Sequence, residues 1–438
     1  MKHFFLSAAI TLATCMGLMA QQVEFEEYTL DNGLHVILHE DNSVPVVITS
    51  VMYHVGAKNE NPERTGFAHF FEHLLFEGTQ NIERGKWFEI VSSNGGSNNA
   101  NTTDDRTYYY EIFPSNNVEL GLWMESERML HPIINEIGVE TQNEVVKEEK
   151  RLRVDNQPYG NILKAVKENL FTNHPYRWTT IGEMDHLDAA TLEEFRAFND
   201  KYYAPNNATL VVAGDISKPQ VKKMVKNYFG DIPKGAEVKH PDAKEQPITS
   251  QIDAKYYDPN IQVPAIIHAY RTPSMKDRDA YVLDMISTIL SDGKSSRLYK
   301  KLVDEQKQAL QVAAINLSQE DYGAYITFAL PLNDTSLQTL TDEIDEEIKK
   351  LQTELISEKE FEKLQNIYEN NFVNSNATIA GIANSLARYH TLYGDTDLIN
   401  EQIDIYRSIT REEIREVAQK YLKENQRLRL EYLPKENQ

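Results

Sequence analysis

His69 and His73 stand four residues apart in the segment His69-Phe70-Phe71-Glu72-His73, with Glu72 directly before the second imidazole. On an α-helix that spacing puts both rings on one face, where two nitrogens can reach a single metal ion at ~2.0–2.1 Å. Glu72 is three residues from His69, so its carboxylate can lie beside the same ion and take a proton from water there. The pattern is the inverted form of the H-E-x-x-H zinc motif. Phe70, Phe71, Leu74 and Leu75 offer such a helix an apolar side, and Thr65-Gly66 an entry. The plain alternative is a helix with two half-buried histidines and a surface glutamate.

Two nitrogens do not complete a catalytic site, which needs a third protein ligand and an open position for water. The acidic helical stretch Glu140 to Arg153 offers Glu140, Glu144, Glu148 and Glu149. A ligand on a separate helix has no fixed sequence offset, so spacing does not choose among them, and charge runs of this kind are usually solvated helix faces. Two imidazoles and a carboxylate suit zinc, although Mn²⁺ or Co²⁺ can occupy the same donor set.

The elements that must position these groups belong to a chain of 438 residues with 45 basic and 67 acidic side chains, a net charge of −22 and one cysteine. That length suggests two or three domains with real cores. The acidic balance argues against a nucleic-acid partner, which requires a concentrated basic face. It makes a preference for basic peptides conceivable, but a total charge does not locate a field. The lone Cys15 excludes a disulfide framework and a thiolate-rich zinc site. Lys2 precedes an uncharged run from Phe4 to Ala20 that is too short for a comfortable membrane span. It reads as a secretory signal over residues 1–20 and points to a periplasmic protein. Leu12-Ala13-Thr14-Cys15 resembles a lipobox, so a lipid anchor through Cys15 is the alternative. No other stretch is apolar enough for a transmembrane span.

Thr191-Leu192-Glu193-Glu194-Phe195-Arg196, running on to Lys201-Tyr202, is echoed by Thr410-Arg411-Glu412-Glu413-Ile414-Arg415, running on to Lys420-Tyr421. Each identity recurs after 219 positions (410 − 191), half the chain, which indicates a duplicated domain. β-rich runs follow both copies. Strand patterns cover Leu34–Leu38, Val46–His54 and Val263–Ala269. Helical spacing covers Gly66–Phe76, Asn117–Met129, Glu140–Val154, Asp277–Leu290, Ser295–Glu305 and Leu337–Glu354. Pro233 to Pro247, rich in Lys, Pro and Glu, reads as the linker. The expected organisation is α+β, with domains at 21–235 and 251–438 joined across 236–250.

With Leu30-Asp31-Asn32-Gly33-Leu34, Gly78-Thr79, His174-Pro175-Tyr176, Tyr202 to Asn207 and Val211 to Asp215 added to HFFEH, the chain resembles the pitrilysin-type inverzincin peptidases from Tyr28 to its C-terminus. The resemblance implies a zinc metalloendopeptidase acting on short or unfolded peptides in a closed chamber. It implies two homologous domains, each a mostly antiparallel sheet with helices packed on it, as in the mitochondrial processing peptidase. His69, His73 and Glu149 would be the zinc ligands and Glu72 the general base. A glutamate found in some members seven residues before the third ligand is Gln142 here. The segment Gly95 to Thr102 matches the family's substrate-binding edge strand, which carries a substrate contact onto Asn99 and Ala100. An Arg and a Tyr that contact the substrate carbonyl from the second domain fall on Val303 and Leu310, which have no side-chain donor. Arg297 is six residues too early to replace the first. A homologous partner chain bearing that pair, in a heterodimer, is the expectation; a homodimer is its alternative. A non-catalytic scaffold or peptide-binding subunit of the same fold is the competing function.

Overall fold

The computed structural model describes residues 22–435, so the expected signal segment and Cys15 lie outside the described residues. Strands β1 (Glu26–Thr29), β2 (His35–Glu40), β3 (Val46–Tyr53), β4 (Ser97–Thr102), β5 (Thr107–Pro114) and β6 (Ala208–Gly214) form one sheet in the order β1-β2-β6-β3-β5-β4. Strands β7 (Ile252–Asp258), β8 (Ala265–Thr272), β9 (Ala309–Leu317), β10 (Gly323–Pro331) and β11 (Arg427–Pro434) form a second sheet, β7-β11-β8-β10-β9. All pairs are antiparallel except β2 with β6 and β7 with β11. The fold is α+β, with two domains built on related sheets.

The second sheet repeats the first without β1. β8 begins 219 positions after β3 (265 − 46), and β11 the same distance after β6 (427 − 208). Helices Leu192–Tyr202 and Arg411–Tyr421 start alike. Thr191 and Thr410 accept the backbone N–H of Glu194 and Glu413, whose carboxylates accept the threonine N–H in return. The T-x-x-E signal thus fixes both helix starts and, through them, the entry to both central strands.

β3 and β6 are apolar and buried almost throughout, as strands covered on both faces must be. Helices of the first half cover one face of the first sheet. The other face, with Ile37, Ile48, Met52 and Val211, receives Ile382, Ala383 and Leu386 from helix Ile379–Arg388 of the second half. Helix Ile162–Leu170 of the first half returns the arrangement, laying Ala165, Val166 and Leu170 against Ile267, Ala269 and Leu428 of the second sheet. Each half therefore completes the other's core.

Residues 233–249 carry no helix or strand. Glu245 fastens this stretch by accepting the N–H groups of Thr172, Asn173 and His174 at 2.7–2.8 Å. Three details differ from the sequence pattern. The second half opens with β7 ahead of the expected Val263–Ala269 strand. The helical patterns ending at Glu305 and Val154 open into π turns, Tyr299–Glu305 and Arg151–Asp155. Periodicity detects a helical face but does not distinguish i→i+4 from i→i+5 bonding.

Candidate metal centre

The HFFEH residues occupy helix Phe67–Leu74, only eight residues long. A helix this short is marginal by itself, and tertiary partners hold both ends. Gly66 before it has φ +96°, and a Cβ there would lie 2.9 Å from Ile181 O, so glycine is required. Buried Glu60 accepts the N–H groups of Gly66 (2.9 Å) and Ala68 (2.8 Å), using donors that the first turn leaves free. At the far end Tyr109 Oη donates to Phe71 O (2.8 Å), and Arg128 Nη1 donates to Leu75 O (3.1 Å). Arg128 is itself buried between Glu111 and Glu125. Phe67, Phe70 and Phe71 pack on Phe195 or Phe198, which turns His69, Glu72 and His73 the other way.

Helix Glu136–Lys150 runs alongside, capped by Asn135, whose Oδ1 accepts Gly138 N–H. Gln142 donates to Glu77 Oε1 at 2.5 Å, tying this helix to the residues following the motif. Glu144 faces Lys147, and Glu148 is exposed beside Arg151. Glu149 turns inward. Its Oε2 lies 3.1 Å from His73 Nε2 and 3.6 Å from His69 Nε2, while Arg153 from the π turn holds Oε1 at 2.8 Å. One ligand atom from each of His69, His73 and Glu149 falls within 4.8 Å of the others.

These residues fit a zinc ion. Tetrahedral donors at ~2.0–2.1 Å stand about 3.3 Å apart, which the two observed distances bracket. Buried Glu149 Oε2 has no hydrogen-bond donor aligned on it. Burial, reinforced by His73, pushes His69 down to about 4, which favours the neutral imidazole a metal requires. The nearby His73 imidazole leads in holding Glu149 below the usual carboxylate range, against partial burial. A second cluster, Glu27, His35 and His390, also gathers metal-binding side chains. Its imidazoles are stacked, with centroids 3.4 Å apart and planes within 3°. Parallel rings so placed cannot both aim a lone pair at one ion.

Glu72 points towards the edge strand β4, where Thr102 Oγ1 donates to its Oε2 at 2.6 Å. Burial raises the Glu72 carboxyl above its ordinary range despite that bond. Among the described residues β4 pairs only with β5, which leaves its outer edge unpaired. A cavity of about 350 Å³ lies here, lined by His69, Glu72, Ala100, Thr102 and Glu149 among others. Ala100 faces it; Asn99, one residue earlier, does not line it, and its side chain accepts Ala100 N–H at 2.9 Å. The strand's two-residue alternation puts these two side chains on opposite faces, although Asn101, of the same parity as Asn99, also lines the cavity. The same alternation, counted on from Ala100, leads to Thr102, which sequence reasoning missed. Glu60 and Arg128 were also missed and had no spacing signal; Arg153 was missed although it follows Glu149 by four residues, the helical spacing of an ion pair.

All the residues that line the cavity lie between 69 and 181. Val303 packs against the second core, and Leu310 is exposed at the start of β9. Arg297 is engaged by both oxygens of Glu360, at 2.9 and 2.6 Å.

Residues 35–183 match the family described as insulinase (peptidase family M16), and residues 189–368 match the peptidase M16 inactive domain. The zinc protease PqqE of Helicobacter pylori is 29% identical, covering 97% of this chain and 98% of the relative. An uncharacterized zinc protease of Bacillus subtilis, YmxG, is 22% identical over 92% of this chain and 97% of its own. A solved protease from Helicobacter pylori superposes with a TM-score of 0.89 at 28% identity, over 94% of this chain and all of that one. The periplasmic protease PqqL from Escherichia coli gives 0.77 at 20% identity, over 94% of this chain but 48% of that longer one.

Proposed function

The chain belongs to the M16 family of peptidases, and from that premise we propose that it is a zinc metalloendopeptidase hydrolysing short or unfolded peptides. The observation that carries the reading is the convergence of His69, His73 and Glu149 beside a buried carboxylate, Glu72, that is hydrogen-bonded to an open edge strand. His69, His73 and Glu149 would hold zinc. Bound zinc supplies Lewis acidity, bringing the pKa of water towards ~7 and polarising a carbonyl.

The protein's own residues do the rest. The peptide adds to the free edge of β4 through its backbone, and small Ala100 leaves room for it. Thr102 fixes one oxygen of Glu72. The other accepts the proton of the attacking water and delivers it to the leaving amine. Arg153 holds the outer oxygen of Glu149 and so orients the inner one. With Val303 and Leu310 where donors are expected, a homologous chain supplies an Arg and a Tyr to the developing oxyanion, each donor worth ~2.7–4 kcal/mol. The protein is then the metal-bearing subunit of a heterodimer, with a homodimer as the alternative. PqqL supports pairing at the level of fold, since this chain matches about half of it. The charged start and apolar run before Gln21 support export to the periplasm. Among the described residues, no helix is long and apolar enough to cross a membrane.

The test is hydrolysis of a quenched fluorescent peptide library by the mature chain, with and without the partner, against a chelator and Glu72→Gln. Activity that needs the partner and is abolished by both controls is the expected result. Strong activity from the chain alone rejects the heterodimer. The second reading, a non-catalytic subunit, draws on Val303 and Leu310; it predicts zinc binding and native folding without hydrolysis under either condition.

A further inference from the structure

Beyond the metal cavity, where β4 ends, lies a second cavity of about 400 Å³ between the two halves. Leu163 lines both. Two arginines line the second: Arg106, two residues before the buried Tyr108 of β5, and Arg388, the last residue of helix Ile379–Arg388. Among the described residues, neither has an ion-pair partner within 4.0 Å. Arg106 spends its bonds on Asn101, donating to its backbone O at 2.8 Å and to its Oδ1. Arg388 reaches only Tyr393 Oη, at 3.3 Å.

The acids at this cavity are already taken. Asp104 accepts from Lys167 at 2.7 Å and from Gln319. Asp105 accepts from Tyr176 Oη at 2.5 Å and pairs with Lys58 at 3.1 Å. Two half-buried cations thus face one space with no directly paired carboxylate among the described residues, in a chain whose net charge is −22. Burial, with the charge of Arg388 adding to it, pushes Arg106 down to about 10. An anion between the two would relieve their repulsion, and the planar guanidinium fork matches a carboxylate. Exposed Leu163 and half-buried Leu317 supply apolar walls.

We propose that this second cavity is a carboxylate-binding subsite for the peptide, in which Arg106 and Arg388 take an acidic side chain or a C-terminal carboxylate while a neighbouring apolar residue packs on Leu163. The inference rests on the peptidase reading and names its substrate class. Because Arg106 also holds Asn101 of β4, one extended peptide can pair with the strand and place its acid between the arginines. Local charge then selects acidic peptides, the opposite of what the total charge makes conceivable.

Fluorescence anisotropy on the zinc-loaded Glu72→Gln chain, with the partner chain present, tests this without turnover. Three labelled peptides of one sequence would be compared: neutral and C-terminally amidated, the same with one internal Glu, and the neutral one with a free carboxylate. At least one acidic form should bind tenfold or more tightly than the neutral form, and which one does so identifies the source of the carboxylate. That preference should fall to near one in Arg388→Gln and be partly retained in Arg388→Lys. No preference in the parent chain overturns the subsite, as does a preference that survives Arg388→Gln or a loss equal for all three peptides. Binding of the neutral peptide in those cases leaves the peptidase reading standing. Absence of any peptide binding overturns both.

Discussion

At the scale of single residues, spacing alone leaves four candidate acids on one helix, and side-chain contacts separate them. Glu148 is spent on Arg151 at the surface, whereas Glu149 meets the two imidazoles. Glu149→Ala should therefore lose zinc on dialysis against a weak chelator, while Glu148→Ala should retain it, with metal content as the readout. Equal retention by both would remove Glu149 from the ligand set. Thr102→Val keeps the shape of the side chain but removes its single bond to Glu72. That variant should lower kcat about 10- to 100-fold, less than the ~10²–10⁴-fold a general base itself contributes because Glu72 stays in place, with zinc content and KM little changed. The twin histidines and Glu72 were legible because a helix has a fixed period. Thr102 was half legible, since it shares a strand face with Ala100, and Glu149 needed a resemblance because no local rule joins two helices.

The unit that presents the site is an eight-residue helix, and its stability comes from outside its own sequence. The apolar side of HFFEHLL was readable, but Glu60 and Arg128 were not, because folding brings them to the helix ends from six and more than fifty residues away. Glu60→Ala leaves two amide groups at the helix start without their acceptors in a buried setting. The expected cost is about 1–3 kcal/mol for each group left unsatisfied, measured by urea denaturation of the apo protein. Zinc should then bind more weakly in a direct titration, because the imidazole face is less fixed. An unchanged denaturation midpoint would mean that water replaces Glu60 there and that the helix start does not depend on it. The edge strand gives the complementary lesson. Its polar sequence, SNNANT, reads equally well as a loop, and only pairing with Thr107 to Ile112 makes it a strand.

For the whole molecule, the duplication was legible from one repeated helix start, yet the way the copies interlock was not. Apolar faces on helices Ile162–Leu170 and Ile379–Arg388 announce burial without saying which sheet receives them. Charge closes the same joint. Lys58, buried in the first half, pairs with Glu320 at 2.7 Å and Asp321 at 3.0 Å from the second, and His54 Nε2 lies 2.7 Å from Glu320. Burial alone would raise Glu320, but His54 and Lys58 outweigh it and hold the carboxyl well below its ordinary 4.5. A depressed folded value means that the unfolded chain binds the proton more readily. Glu320 therefore contributes stability that is complete above about pH 4.5 and is lost as pH falls towards the folded value. Glu320→Gln should cost about 1–3 kcal/mol at pH 7, as losing a hydrogen bond to a charged group does, because Lys58 keeps Asp105 and Asp321. The stability difference from the parent chain should narrow steadily below pH 4.5, because the variant has no proton to take up at that position. Denaturant unfolding from pH 7 downwards, followed by probes in each half, would measure both effects. Because each half completes the other's core, the two probes should also report one transition. Parallel stability curves would show that Glu320 is not depressed by its partners, and separate transitions would show that the exchanged helices do not couple the halves.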